Sequence, residues 1–134
     1  MDLLVNLDVP DLQAAEAFYT KAFDLVVTRR FGGGAVELTG WPARLYLLHK
    51  PAGSPGAGGH PRRYDRHWCP VHLDIVVEDL DAALVHALGA GAVAETGIRD
   101  EIWGRIVTLA DPFGHGLCLI QFQNRGYDEV ADPA

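Results

Sequence analysis

Apolar and polar residues alternate along two stretches of this chain that lie 68 positions apart. In the first, Val5, Leu7 and Val9 alternate with Leu4, Asn6 and Asp8; in the second, Leu73, Ile75 and Val77 alternate with His72, Asp74 and Val76. Period-two alternation predicts a strand with one face covered. Behind each strand the period changes. Leu12, Ala15, Phe18, Tyr19 and Ala22 recur at helical spacing, as do Leu80, Ala83, Leu84, Ala87 and Leu88. Asp11 and Asp79 stand where a side-chain oxygen caps a helix start, and Gly89 or Gly91 can end the second helix. The offset is kept by Val9 with Val77, Asp11 with Asp79, Leu12 with Leu80 and Ala14-Ala15 with Ala82-Ala83. Two copies are too few for a solenoid, so the pattern predicts a duplicated half-domain.

Short strands follow each helix. Residues 25–30 and 35–38 flank Gly32-Gly33-Gly34 as a hairpin, and residues 44–49 form the next strand. The second copy offers strands at 92–95, 105–109 and 117–122, the last two joined by a turn at Asp111-Pro112-Phe113-Gly114. Each half therefore reads βαβββ, over residues 3–49 and 71–123. The segment 50–70 between them carries four glycines and three prolines within residues 51–61, so regular structure is not expected there. The basic, aromatic run Arg62-Arg63-Tyr64-Asp65-Arg66-His67-Trp68 either edges a ligand mouth or ends the linker. Residues 124–134 form a polar tail.

Length and charge narrow the possibilities. The 134 residues suffice for a single domain with its own core. The net charge of -7 argues against phosphate-backbone binding and would tolerate a cationic small molecule. There is no apolar run of membrane-spanning length, and Met1-Asp2-Leu3-Leu4 lacks a basic leader, so the expected location is the cytoplasm. Cys69 and Cys118 lack the spacing of a zinc or redox motif. Gly32-Gly33-Gly34 opens no helix, so it is a turn and not a phosphate cradle.

The repeated βαβββ unit resembles the vicinal oxygen chelate superfamily of glyoxalases, extradiol dioxygenases, fosfomycin resistance enzymes and bleomycin-binding proteins. The resemblance rests on Val9-Pro10-Asp11-Leu12 with Phe18-Tyr19, on Val77-Glu78-Asp79-Leu80, and on Asp111-Pro112-Phe113-Gly114-His115-Gly116-Leu117-Cys118-Leu119. It covers roughly residues 3 to 123. It implies an α+β fold of two tandem βαβββ modules, each sheet curled into a cup that lines a cavity, and a homodimer.

The resemblance also implies where a metal would sit: His or Gln on the first strand of a half, Glu on its last. In this chain those positions hold Leu4 and Tyr46 in the first half, and His72 and Cys118 in the second. Only His72 matches, so the expectation is no resident metal and no cofactor. The alternative is a divalent ion (Zn, Ni, Mn or Fe) held by His72 and Cys118 with His115 or His67, or with His49 if the register of Tyr46 is off by one. His72 beside Asp74 could also act as a base, and Cys118 as a nucleophile if His72 lowered its pKa. The other face of the strands, with Asn6, Tyr46, His72, Asp74 and Cys118, is expected to line the ligand cavity, with Trp103 at its border. Trp41 and Trp68 occupy similar borders, and Arg105 faces either a ligand anion or an acidic neighbour. The leading expectation is a protein that binds a small aromatic or amphipathic molecule and is not an enzyme. Its alternatives are a metal-dependent lyase, isomerase or dioxygenase, and a degenerate partner protein.

Overall fold

The computed structural model describes residues 1–134, which form two compact units, Met1–Arg66 and His67–Ala134. In the first unit, β1 (Leu4–Val9) leads into α1 (Leu12–Phe23), followed by β2 (Val26–Phe31), β3 (Ala35–Thr39) and β4 (Arg44–His49). The sheet order is β1-β4-β3-β2, with β1 parallel to β4 and the rest antiparallel. The second unit repeats the plan with β5 (Leu73–Val76), α2 (Leu80–Ala90), β6 (Val93–Ala94), β7 (Arg99–Glu101), β8 (Gly104–Ala110) and β9 (Gly116–Phe122). Its order is β5-β9-β8-β6, with β7 also paired to β8. The fold is the expected pair of βαβββ modules, with one difference. The second strand of the second module is broken into β6 and β7, and both pieces pair with β8. Gly97 lies in the break, where a strand has no side chain to pack.

Both helices start in the same way. The Asp11 carboxylate accepts the Ala14 N–H at 2.9 Å, and the Asp79 carboxylate accepts the Ala82 N–H at 3.0 Å. Each satisfies an amide that the helix itself cannot, worth about 1 kcal/mol. Gly91, at φ +120°, ends α2, its N–H directed at the Ala87 and Leu88 carbonyls, while Gly89 stays inside the helix.

α1 lies on β3 and β4, and α2 on β9. Their inner faces explain the core. Ala15, Phe18, Tyr19 and Ala22 close over Val36, Leu38, Leu45 and Leu47 in the first unit. Leu80 and Ala87 belong with Val107, Leu109, Leu117 and Leu119 in the second. A side chain of this size, fully buried, contributes about 1.5–3 kcal/mol. The alternation correctly assigns Val5, Leu7, Leu73 and Ile75 to the helix side, but only part of each is covered. The reason is position: β1 and β5 are edge strands, and the helices sit over the sheet interior.

The segment between the modules is more ordered than its composition suggests. A short 3-10 turn (Ala57–Gly59) and a Pro55–Pro61 bridge fold it into a loop within the first unit. Arg62 fastens it, its Nε donating to Asp8 at 2.6 Å and its Nη1 to the Pro55 carbonyl at 2.5 Å. Tyr64 adds a hydrogen bond from its hydroxyl to the Lys50 carbonyl at 2.7 Å.

Candidate functional site

Strand register fixes what each sheet carries on the face away from its helix, where Arg29, Phe31 and Asp74 are exposed while Glu37, Cys118 and Ile120 are buried. In the second unit Asp74, Cys118 and Thr108 stand abreast on β5, β9 and β8. His72 precedes β5, and its Nε2 lies 3.2 Å from the Asp74 carboxylate. The donor atoms of His72, Asp74 and Cys118 all fall within 4.8 Å of one another. His72 and Asp74 are exposed and Cys118 is buried. The Thr108 hydroxyl sits 3.6 Å from the Cys118 sulfur. Trp68, half exposed, packs its ring 4.8 Å from the His72 imidazole. Burial pushes the Cys118 thiol above its ordinary range, and the neighbouring Asp74 carboxylate adds to the rise. The thiol is therefore held protonated, which opposes a nucleophilic role at neutral pH.

In the first unit the corresponding row is Asn6, Tyr46, Glu37 and Arg29, one residue from each strand. Glu37 is only 2% exposed. Its carboxylate accepts from Thr28 Oγ1 at 2.8 Å, from Arg29 Nε at 2.9 Å and Nη2 at 2.5 Å, and from the Tyr46 hydroxyl. With the Arg29 guanidinium leading these donors, its pKa falls to about 2. The same contact raises the pKa of Tyr46, which donates its proton to Glu37 and keeps it. Beside this row lies an apolar one formed by Leu48, Ala35 and Phe31, with Asp8 at its end already paired to Arg62. The Phe31 and Tyr46 rings are 6.2 Å apart.

Other candidates fall elsewhere. Trp103 packs against Tyr127 at 5.0 Å and Phe122 at 6.4 Å, beside an open pocket of about 470 Å³ lined by Phe122, Asn124, Arg125, Gly126 and Tyr127. Trp41 belongs to a cluster with Tyr19 and Phe23 on the helix side. Arg105 takes the acidic neighbour, gripping Asp81 at 2.6 Å and Asp100 at 3.2 Å. His115 does not join His72 and Cys118. Its Nδ1 lies 2.7 Å from the Asp111 carboxylate, whose other oxygen accepts the Phe113 and His115 N–H groups at 2.8 Å. His49 pairs with Val9 on the helix side, so the register of Tyr46 stands.

The pattern analysis missed Glu37 and Arg29. The signal was there: a single carboxylate between Val36 and Leu38 in an otherwise apolar strand has to find donors.

The donor set can be tested against the metal that the resemblance implies. In the first unit Leu4 has no donor atom and Tyr46 spends its hydroxyl on Glu37. The second unit offers imidazole, carboxylate and thiol. A tetrahedral zinc site needs neighbouring donors roughly 3.3–3.7 Å apart. Modest side-chain rotations bring a cluster within 4.8 Å to that spacing. His72, Asp74 and Cys118 thus fit a borderline-soft ion such as zinc, provided it displaces the Cys118 proton.

Comparison with known proteins gives a consistent picture. The model of the glyoxalase-like domain matches residues 4–120. An uncharacterized protein of Mycobacterium bovis is 34% identical over 121 residues, covering 87% of this chain and 80% of its own length. An uncharacterized protein of Mycobacterium tuberculosis shares the same identity over 71% of its length. Among solved structures, a glyoxalase/bleomycin resistance protein/dioxygenase family enzyme from Burkholderia phytofirmans superposes with a TM-score of 0.71 at 15% identity, covering 92% of this chain and 100% of that one. A fosfomycin resistance protein from Listeria monocytogenes gives 0.70 at 14% identity, covering 90% and 92%. These structural likenesses speak to the fold.

Proposed function

Because the chain belongs to the glyoxalase-like family of the vicinal oxygen chelate superfamily, we propose that it binds a small aromatic or amphipathic molecule on the open faces of its sheets, without needing a resident metal. One observation carries this reading. On the first unit's open face an apolar row (Leu48, Ala35, Phe31) runs directly beside a polar one (Asn6, Tyr46, Glu37, Arg29). Neighbouring strands lie about 4.8 Å apart. A planar molecule can therefore lie over the apolar row with its polar edge at Asn6 or Arg29, an apolar surface with a few placed polar groups like the lining of small-molecule sites. Ala35 leaves room between Leu48 and Phe31. On the second unit Val76, Ile120 and Ile106 line up beside Asp74, Cys118 and Thr108, but Ile120 and Cys118 are buried there. The metal-free part of the reading is supported by Leu4, which has no donor atom, and by the Tyr46 hydroxyl, which is spent on Glu37. The resemblance further supports a homodimer, which light scattering checks.

A second reading is favoured by the His72, Asp74 and Cys118 cluster. There the protein is a metal-dependent lyase, isomerase or dioxygenase. These three residues would hold a divalent ion, which supplies a Lewis acid for two adjacent substrate oxygens.

The test is a thermal-shift screen of chelator-treated protein against aromatic and amphipathic compounds. A ligand at about 100 times its Kd adds about 2.7 kcal/mol, which for a chain of this size raises Tm by roughly 10 °C. Shifts in stripped protein support the binding reading. Shifts that appear only with a divalent ion overturn it in favour of the metal enzyme. No shift under either condition overturns both and leaves a partner protein.

A further inference from the structure

The overall charge of -7 suggests a cationic guest, but the first unit's open face does not share that balance. Along β4, Arg44, Tyr46 and Leu48 point to the open side, while Leu45 and Leu47 are buried under α1. Arg44 lies opposite Leu4, one step from the polar row, and its charge is felt by Tyr46. It is exposed and has neither an ion pair nor a hydrogen bond from its side chain. Arg29 is 57% exposed and meets Glu37 through Nε and Nη2. A guanidinium carries five N–H donors in a rigid plane, so its Nη1 edge stays available. Asp8 and Arg62 cancel one another. What remains is two arginines against one carboxylate, and that carboxylate is buried beneath its own donors.

Glu37 gives Arg29 more than a counter-charge. Thr28 and Tyr46 hold the carboxylate in place, and the carboxylate holds the guanidinium side-on. The arginine is thereby fixed before any guest arrives, which lowers the ordering cost of binding. Phe31, two residues along the same strand and 48% exposed, puts an aromatic ring on the same face.

We propose that this face holds an anion subsite, in which the free edge of Arg29 and the side chain of Arg44 take the carboxylate of a small aromatic acid whose ring lies on Leu48, Ala35 and Phe31. The inference rests on the binding reading above and narrows it to an acidic guest. Asn6, exposed and with no hydrogen bond from its side chain, lies at the far end of the row, where it orients a second polar substituent. The span across four strands is about 15 Å, enough for a bicyclic acid.

The experiment compares three probes of one shape, 2-naphthoate, 2-naphthamide and 2-naphthylmethylamine, titrated by calorimetry into wild type, Arg44→Gln, Arg29→Gln and Arg29→Lys. The Arg44 side chain makes no hydrogen bond or ion pair that its loss would break, so Arg44→Gln is expected to keep the fold; circular dichroism checks all three variants. The naphthoate is expected to bind roughly tenfold tighter than the amide and tighter still than the amine. Arg44→Gln and Arg29→Gln should each weaken naphthoate by roughly five- to tenfold while changing the amide less than about twofold. Arg29→Lys should recover only part of the loss, because a lysine lacks the planar fork. Equal binding of all three probes, unaffected by Arg44→Gln, overturns the anion subsite and leaves the binding reading standing. Binding of none of them overturns both for this face.

Discussion

Gly104 begins β8 at a point where no side chain fits. A Cβ added there would lie 2.3 Å from the Gln121 carbonyl oxygen and 3.0 Å from the Phe122 Cα, both backbone atoms of the paired strand β9. Ordinary contact needs about 1 Å more than the shorter of these, so β8 and β9 must part or the turn before β8 must rotate. The residue's φ of +156° adds strain for any L side chain. Backbone strain of this kind costs about 1–3 kcal/mol, and losing a ladder hydrogen bond at the strand end costs about 1 kcal/mol more. Gly104→Ala should therefore destabilise the protein by about 2–4 kcal/mol. With an unfolding entropy near 0.28 kcal/mol/K for this length, Tm should fall by about 7–14 °C in differential scanning calorimetry. Gly33→Ala is the control, since nothing lies within 4 Å of its added Cβ, and its Tm should move by less than about 2 °C. If Gly104→Ala also stays within 2 °C of wild type, the close approach of β8 to β9 is refuted, and with it the register that aligns Thr108 with Cys118.

Two further outcomes follow from the polar rows. Glu37 titrates at about 2 against an ordinary 4.5, so its contribution to stability is complete above that ordinary value and is lost as pH falls through about 2. The Tm gap between wild type and Glu37→Gln should be constant from pH 7 to about 5 and shrink steadily below, and a gap unchanged down to pH 2.5 contradicts the assigned carboxylate cluster. Cys118 is buried with its thiol pKa raised, whereas Cys69 is exposed, so iodoacetamide at pH 7.5 should label Cys69 on the order of a hundredfold faster. Comparable labelling of Cys118, followed by mass spectrometry, would return it to the list of candidate nucleophiles.

How much was legible in the sequence depends on whether the signal is local. The 68-residue offset places both first strands and both capped helices, because alternation and capping involve only near neighbours. It also puts Asn6 and Tyr46, and Asp74 and Cys118, on the face away from the helix, because alternation fixes which side of a strand is buried, and the structure then pairs them. What a single strand's pattern cannot show is who sits across from it. Arg29 meets Glu37 only because β2 carries an irregularity between Val27 and Arg29, which shifts the pairing by one residue. Without that bulge the guanidinium would lie on the other face. The linker holds no strand and no α-helix, as expected, but the way it folds was hidden for a related reason. Its glycines and prolines argue against helix and strand, yet Arg62 reaches back 54 positions to Asp8 and folds it. His115 looked like a spare ligand by composition, while the buried Asp111 four residues before it claims both its backbone and its ring.

The most direct test of the central claim is a metal count. Protein purified without a chelator or an affinity metal is analysed for Zn, Ni, Mn and Fe per chain, in wild type and His72→Ala, before and after incubation with each ion. The account predicts well under one-tenth of an equivalent in both proteins as purified, and ligand-induced thermal shifts on the first unit's probes that neither His72→Ala nor incubation with an ion changes. Close to one equivalent per chain in wild type, absent from His72→Ala, contradicts it and makes the His72, Asp74 and Cys118 cluster the working centre.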